Sequence, residues 1–336
     1  MNRKIGLTTT VPIEVIYAAG DIPVDLNNLF ITAEDPAAIV ERAERAGLPA
    51  NICAWVKGIY AAAVSADDLQ TIVAVTQGDC SNTHVLMELL ARQGKTVIPF
   101  AYPYDRDRQL LQLQIRRFMD TLGVQEPEVM RTRQRLDRIR EKLRRLDDMT
   151  WRDRRVTSYE SHLWLVSASD FNGDPDSFEA QLDDFLTEAA ERPVRPPGIR
   201  LGYLGVPPIF SDLFDVIESL PANRQTPNAA VVYNEMARQF AMLDAPADLL
   251  QQYLDYTYPY DVAGRVREIA RQVQRRSLHG VIHYTQTFCF RQMEHAILAE
   301  DLPVPVLWLE GDRPGQMDGR TRTRLESFIE MLAEST

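Results

Sequence analysis

The chain has 336 residues, with 48 acidic and 37 basic side chains, a net charge of −11 and a pI near 5.1. That balance argues against a nucleic-acid or anionic-membrane surface, which needs clustered positive charge, and no apolar run approaches the roughly 20 residues of a spanning helix. Three cysteines, far apart, give no disulfide framework, the N-terminal stretch has no long apolar segment of the signal-peptide kind, and a cytoplasmic protein of two domains is expected.

In chain order, KIGL (Lys4 to Leu7) reads as a first strand. Pro12 follows at a helix start, where its missing N–H costs nothing, and Gly20 stops that helix. IPVDL is a second short strand, and DPAAIVERAERAG is a helix ending at Gly47. Cys53 opens the helical stretch AWVKGIYAAAVSA. TIVAV is a strand, Cys80 follows it, and Ser81 or Asn82 can cap the helix THVLMELLARQG. TVIPF is a further strand. Strands alternating with helices imply βαβ units and a parallel sheet. Thr8, Thr9 and Thr10 lie at the carboxyl end of the first strand, placed either to hydrogen-bond a ligand or to cap the next helix. Glu14, just inside that helix, either faces a substrate or compensates the helix dipole.

Residues 106–192 carry no clear strand signal. Within RTRQRLDRIREKLRRLDD, Leu136, Ile139, Leu143 and Leu146 stand at helical spacing among many charges. A solvated helix with i,i+4 ion pairs is expected there, with a phosphate-binding Arg face as the alternative. RPVRPPG, residues 192–198, reads as a stiff linker.

The strand–helix rhythm then returns. RLGYLGVPPIFSDLFDVIESL repeats the plan of KIGLTTTVPIEVIYAAG: a strand, Val-Pro, then a helix. AAVVY, GVIHY and VPVLWL read as strands and YDVAGRVREIARQVQRR as a helix. Thr-Gln-x-x-Cys occurs twice, ending at Cys80 and at Cys289, each time after a strand and before a helix. The interval from Cys80 to Val97 equals that from Cys289 to Val306. The expected fold is α/β: two similar doubly wound, Rossmann-like parallel-sheet domains, residues 1–105 and 198–336, with a helical segment, residues 106–192, between them.

In an open parallel sheet the loops at the strand carboxyl ends line the functional crevice. Both Thr-Gln-x-x-Cys turns belong there, and Cys53 can reach the same edge. A thiolate at a helix N-terminus is favoured by the dipole. Three converging thiolates make a soft-ligand site suited to iron–sulfur or zinc, and no fourth cysteine stands in the second half to match Cys53. The alternative is that all three are small buried hydrophobes. His84 and His295 follow Cys80 and Cys289 on their helices, as further ligands, proton donors or surface residues, and His283 falls within a strand as a core residue. There is no Gly-x-x-x-x-Gly-Lys-Ser/Thr loop, no Gly-x-Gly-x-x-Gly after the first strand, no His-Glu-x-x-His and no Gly-x-Ser-x-Gly.

Several stretches resemble, in order, the 2-hydroxyacyl-CoA dehydratase family, which includes the benzoyl-CoA reductase subunits. They are VPIEVIYAAGDIPVDL, NICAWVKGIY, the Cys80 turn, VTSYESHLWLVSASDFNGDPDSF, LHGVIHYTQTFC, VPVLWLEGD and GRTRTRLESFIEML. The resemblance implies that Cys53, Cys80 and Cys289 hold a 4Fe–4S cluster whose fourth iron is open to water, hydroxide or substrate. It implies an acyl-CoA-type substrate that loses water through a ketyl radical anion. It also implies a separate ATP-hydrolysing iron–sulfur activator that injects the electron, and a related second subunit or a homodimer. A reductase-type subunit and a non-catalytic electron-relay protein are the alternatives within the same resemblance.

Overall fold

Strand order carries the main result. In the computed structural model, which describes residues 2–196, 198–219, 228–244 and 246–335, the strands form two sheets of four. The first sheet holds β1 (Lys4–Leu7), β2 (Ile22–Asp25), β3 (Thr71–Gln77) and β4 (Thr96–Ala101), in the order β2-β1-β3-β4. The second holds β5 (Ile199–Gly205), β6 (Ala229–Asn234), β7 (Gly280–Gln286) and β8 (Val306–Gly311), in the order β6-β5-β7-β8. Every pairing is parallel. The second sheet therefore repeats the first strand for strand, and the molecule is an α/β protein with two similar halves. Parallel sheets need cover on both faces. Accordingly Thr71 to Val75 of β3 and all of β7 are buried.

Local chemistry places the helices around these sheets. Pro12 occupies the N-cap of helix Ile13–Ala18, and Gly20 follows its end with φ +74. The Asp35 carboxylate accepts from Ala38 N at 2.9 Å and caps helix Pro36–Arg45. Asp261 caps helix Val262–Arg276 through Gly264 N at 2.7 Å. Helices Leu26–Ile31, Glu235–Phe240, Leu249–Asp255 and Gly319–Glu334 are additions to the sequence reading. The first three are too short to show two turns of helical periodicity.

Between the sheets run helices Arg108–Leu122, Glu126–Trp151, Ser158–Ser167 and Pro175–Glu191. Leu136, Ile139, Leu143 and Leu146 are buried, as their spacing implies. The expected solvated face with i,i+4 pairs holds in part, with Arg138, Glu141 and Arg145 exposed and Arg133 pairing Asp137 at 3.4 Å, but Arg133 and Arg140 are themselves buried. Arg133 donates to Pro246 O at 2.7 Å and to Gln252 at 3.3 Å, so its guanidinium is taken by protein acceptors and does not face a phosphate. Arg140 meets the Glu14 carboxylate at 2.7 Å, and Gln252 and Tyr253 donate to the same carboxylate, each at 2.8 Å. One buried carboxylate thus joins the first half, the helical segment and the second half. Burial alone raises its pKa, but Arg140 and the donors outweigh burial and hold it below the ordinary value. Pro197, within the stretch read as a linker, lies outside the described residues.

Candidate functional site

In both sheets the strand order reverses direction at one point. It lies between β1 and β3 in the first sheet and between β5 and β7 in the second. Ligand crevices in open α/β sheets form beyond the strand carboxyl ends at such switch points. Thr8 and Thr9 leave β1, Asp79 and Cys80 follow β3, Val206 and Pro207 leave β5, and Cys289 follows β7. Residues from all four loops line one cavity of about 80 Å³. Cys53, Cys80 and Cys289 all line it. One water needs about 10–15 Å³ on this measure, so the cavity has room for a multi-atom group.

The two cysteine turns achieve the same placement differently. In the first, Gly78 takes φ +96, and a Cβ there would stand 2.7 Å from Pro259 Cβ and 2.9 Å from Tyr102 Cβ. Only glycine lets this turn sit against Pro259 of the second half. In the second turn the left-handed residue is Phe288, with φ 63, one position later in the motif. Cys289 N donates to Gln286 O at 3.0 Å, and Thr83 N donates to Cys80 O at 2.9 Å. Cys53 occupies the N-cap of helix Ala54–Ser65 and is buried.

Burial pushes the Cys53 thiol up to about 12, with Cys289 adding to the rise, while the N–H groups of Trp55 and Val56 oppose it. Burial likewise pushes Cys80 up to about 11, and raises Cys289 despite the adjacent Arg291 guanidinium. At Cys53 desolvation therefore outweighs the helix N-terminus, which still favours the thiolate through the Trp55 and Val56 N–H groups. A bound cation reverses that balance, because a coordinating thiol is deprotonated outright.

Two charged residues beside the cysteines, Asp79 and Arg291, were given no role in the sequence reading. Burial pushes Asp79 up to about 6 against the pull of Arg291. The Arg291 guanidinium stacks 3.9 Å from the Tyr258 ring centroid, donates to Tyr258 O at 2.9 Å and pairs with Glu294 at 3.1 Å. Both residues line the cavity, with Trp55, Phe240 and Tyr258 among its aromatic walls. Their proximity to Cys80 and Cys289 in the chain was the only available signal.

Thr8 and Thr9 line the cavity. Thr8 Oγ1 accepts from Val75 N at 3.1 Å and pins its loop to β3. Thr10 is buried away from the cavity, its carbonyl accepting from the Tyr102 hydroxyl at 2.9 Å. Glu14, a substrate-side candidate from sequence, is corrected: it does not line the cavity, and Arg140, Gln252 and Tyr253 engage its carboxylate. His84 is exposed. His283 is buried in β7 and stacks on His295 with ring centroids 5.6 Å apart, and neither lines the cavity. Among the described residues no three His, Cys, Asp or Glu side chains are gathered around the position of a single ion. The three cysteines share the lining of one cavity.

The family model described as 2-hydroxyglutaryl-CoA dehydratase, D-component, matches residues 8–332. The chain belongs to this family. The match begins at Thr8, on the first switch-point loop, and includes all three cysteines and both sheets beyond β1. Membership of the 2-hydroxyglutaryl-CoA dehydratase D-component family makes the chain a dehydratase-type, hydro-lyase subunit. No curated protein matches the sequence. Among the described residues no helix is long and apolar enough to cross a membrane.

Proposed function

We propose that this chain is the iron–sulfur subunit of a 2-hydroxyacyl-CoA dehydratase-like enzyme. Cys53, Cys80 and Cys289 are assigned as the thiolate ligands of a 4Fe–4S cluster with one iron left open. The observation that carries this reading is the meeting of three thiols, two from one half and one from the other, on one cavity at both switch points. Soft thiolates are the donors iron–sulfur centres use. Cysteines that line one cavity of about 80 Å³ suit a group of several atoms. When bound, the cluster supplies a Lewis-acidic iron and a store for one electron.

The chain's own residues prepare the cavity for that chemistry. Trp55, Val56, Ile59, Leu86 and Phe240 line it with apolar surface and keep water scarce. The Thr9 hydroxyl, with no partner among the described residues, is available to a bound oxygen. Arg291, fixed by Tyr258 and Glu294, holds a permanent positive charge in the wall, where it favours an oxygen that gains negative charge. In the assigned reaction one electron enters a 2-hydroxyacyl thioester to give a ketyl radical anion. Hydroxide leaves the α-carbon, a proton leaves the β-carbon, and the electron is returned. With no phosphate-binding loop in the sequence, ATP hydrolysis is assigned to a separate iron–sulfur activator. A related second subunit or a second copy completes the enzyme, working anaerobically in the cytoplasm.

Anaerobic purification with iron, sulfide and zinc analysis tests the reading. About four irons per chain are expected, with loss of most of that iron in Cys53→Ser, Cys80→Ser and Cys289→Ser. Addition of a 2-hydroxyacyl-CoA is expected to change the EPR spectrum of the reduced protein. A colourless protein that binds zinc through the same cysteines and takes up no iron would overturn the assignment.

A further inference from the structure

We infer that a cavity at the amino-terminal edge of the second sheet is an anion site, binding a small phosphomonoester through Arg154, Arg195 and Arg200. The cavity holds about 170 Å³. One water needs about 10–15 Å³ on this measure, so a phosphate with a few carbons has room. Ile199 and Arg200 at the start of β5, and Ala229 and Ala230 at the start of β6, contribute to its wall. Val206, beyond the other end of β5, lines the thiol cavity. The seven residues of β5, about 20 Å of strand, therefore separate the two sites.

Among the described residues, three arginines and a single acid, Glu218, line this cavity. Arg195 pairs with Glu218 at 2.6 Å, and the same carboxylate also accepts from Ser158 N at 2.8 Å and Ser158 Oγ at 2.6 Å. Arg195 Nε is buried and has no partner among the described residues. Arg200 meets neutral acceptors, donating to Arg276 O at 2.6 Å and to Trp151 O at 3.0 Å. The Arg154 guanidinium has no hydrogen-bond or acidic partner among the described residues. Burial, with Arg154 adding to it, lowers the Arg200 pKa, as like charges held close require.

Three guanidiniums against one carboxylate leave an excess of two positive charges, in a chain whose net charge is −11. A phosphate monoester is a compact group of about two negative charges at neutral pH, with the oxygens that guanidinium forks take in pairs. Pro196, Ile199, Ala229, Ala230 and Val232 supply apolar wall for a small organic remainder. The backbone is committed to this arrangement as well. Arg154 stands at φ 55, in the left-handed region that side chains rarely adopt. Its carbonyl accepts from Arg195 N at 3.0 Å, which ties the two arginines together.

The inference goes beyond the proposed function and does not depend on a cluster in the thiol cavity. Calorimetric titration of the purified protein with propyl phosphate, inorganic phosphate and succinate, at constant ionic strength, tests it. Propyl phosphate is expected to bind with a Kd below about 1 mM and more tightly than the other two. Arg154→Gln is expected to weaken it about tenfold. Arg154→Gly, which suits the left-handed backbone, is expected to lose as much affinity without a lower Tm, so the loss is not one of folding. Arg152→Gln removes an exposed arginine that pairs with Asp148 and lies outside the cavity, and it is expected to leave the affinity unchanged. No saturable binding of propyl phosphate at about 10 mM, tighter binding of succinate, unchanged affinity in both Arg154 variants, or an equal loss in Arg152→Gln would overturn it. Displacement of propyl phosphate by a saturating 2-hydroxyacyl-CoA would also overturn it, because the three arginines would then serve the substrate of the thiol site.

Discussion

At the scale of single residues, what surrounds a titratable group matters more than its place in a helix. Cys53 sits where a helix N-terminus favours a thiolate, yet burial pushes it up to about 12. His162 shows the same dominance with the opposite sign, because for imidazole the charged form is the protonated one. Its pKa falls from 6.5 to about 4 in the fold. Between those values the unfolded chain binds more protons than the folded one, so stability rises with pH in that window. The contribution is fully present above about pH 6.5 and is lost as pH falls toward 4, amounting to about 3 kcal/mol. Urea unfolding at pH 7.5 and pH 4.5 measures it. Wild type is expected to lose more stability than His162→Phe across that interval; equal losses would show that His162 does not titrate in this way.

At the scale of elements, the strands and most longer helices were legible because each presents a regular period over enough residues. Of the helices of six or seven residues, Ile13–Ala18 and Leu213–Ser219 were announced by the repeated strand, Val-Pro, helix plan, whereas Leu26–Ile31, Glu235–Phe240 and Leu249–Asp255 were not. The Thr-Gln-x-x-Cys repeat marked two equivalent strand ends, and the sheets place both beside switch points. Arg291 and Tyr258 come together through packing of separate segments, so no local pattern announced their contact. The Gly78 turn shows the cost of the first placement. A Cβ at its φ of +96 costs about 1–2 kcal/mol, and the 2.7 Å approach to Pro259 adds about 1–3 kcal/mol of overpacking. Gly94 is a matched control, with φ +83 and nothing within 4 Å of its Cβ position. Gly78→Ala is expected to lower both thermal stability and iron per chain, whereas Gly94→Ala lowers stability by about 1–2 kcal/mol and leaves iron unchanged. Equal iron in the two variants would remove Gly78 from the account of the site.

At the scale of the whole molecule, the candidate site exists only while the halves are held in register, since Cys53 and Cys80 belong to one and Cys289 to the other. The buried Glu14 junction is placed to hold them. Its carboxylate takes Arg140 from the helical segment and Gln252 and Tyr253 from the second half. A buried ion pair contributes little net stability against an apolar replacement, but removing one partner strands a charge. Arg140→Met is therefore expected to cost about 3–5 kcal/mol and to reduce iron loading. The Arg140→Met, Glu14→Gln double variant removes the stranded charge and keeps an amide that can still meet Gln252 and Tyr253. It should be more stable than Arg140→Met alone, the non-additivity that coupling between contacting residues produces. Denaturant unfolding and iron content of the two single variants and the double variant complete the cycle. Additive losses would mean that Glu14 and Arg140 act independently, and that the register of the halves, and with it the meeting of the three thiols, rests on other contacts.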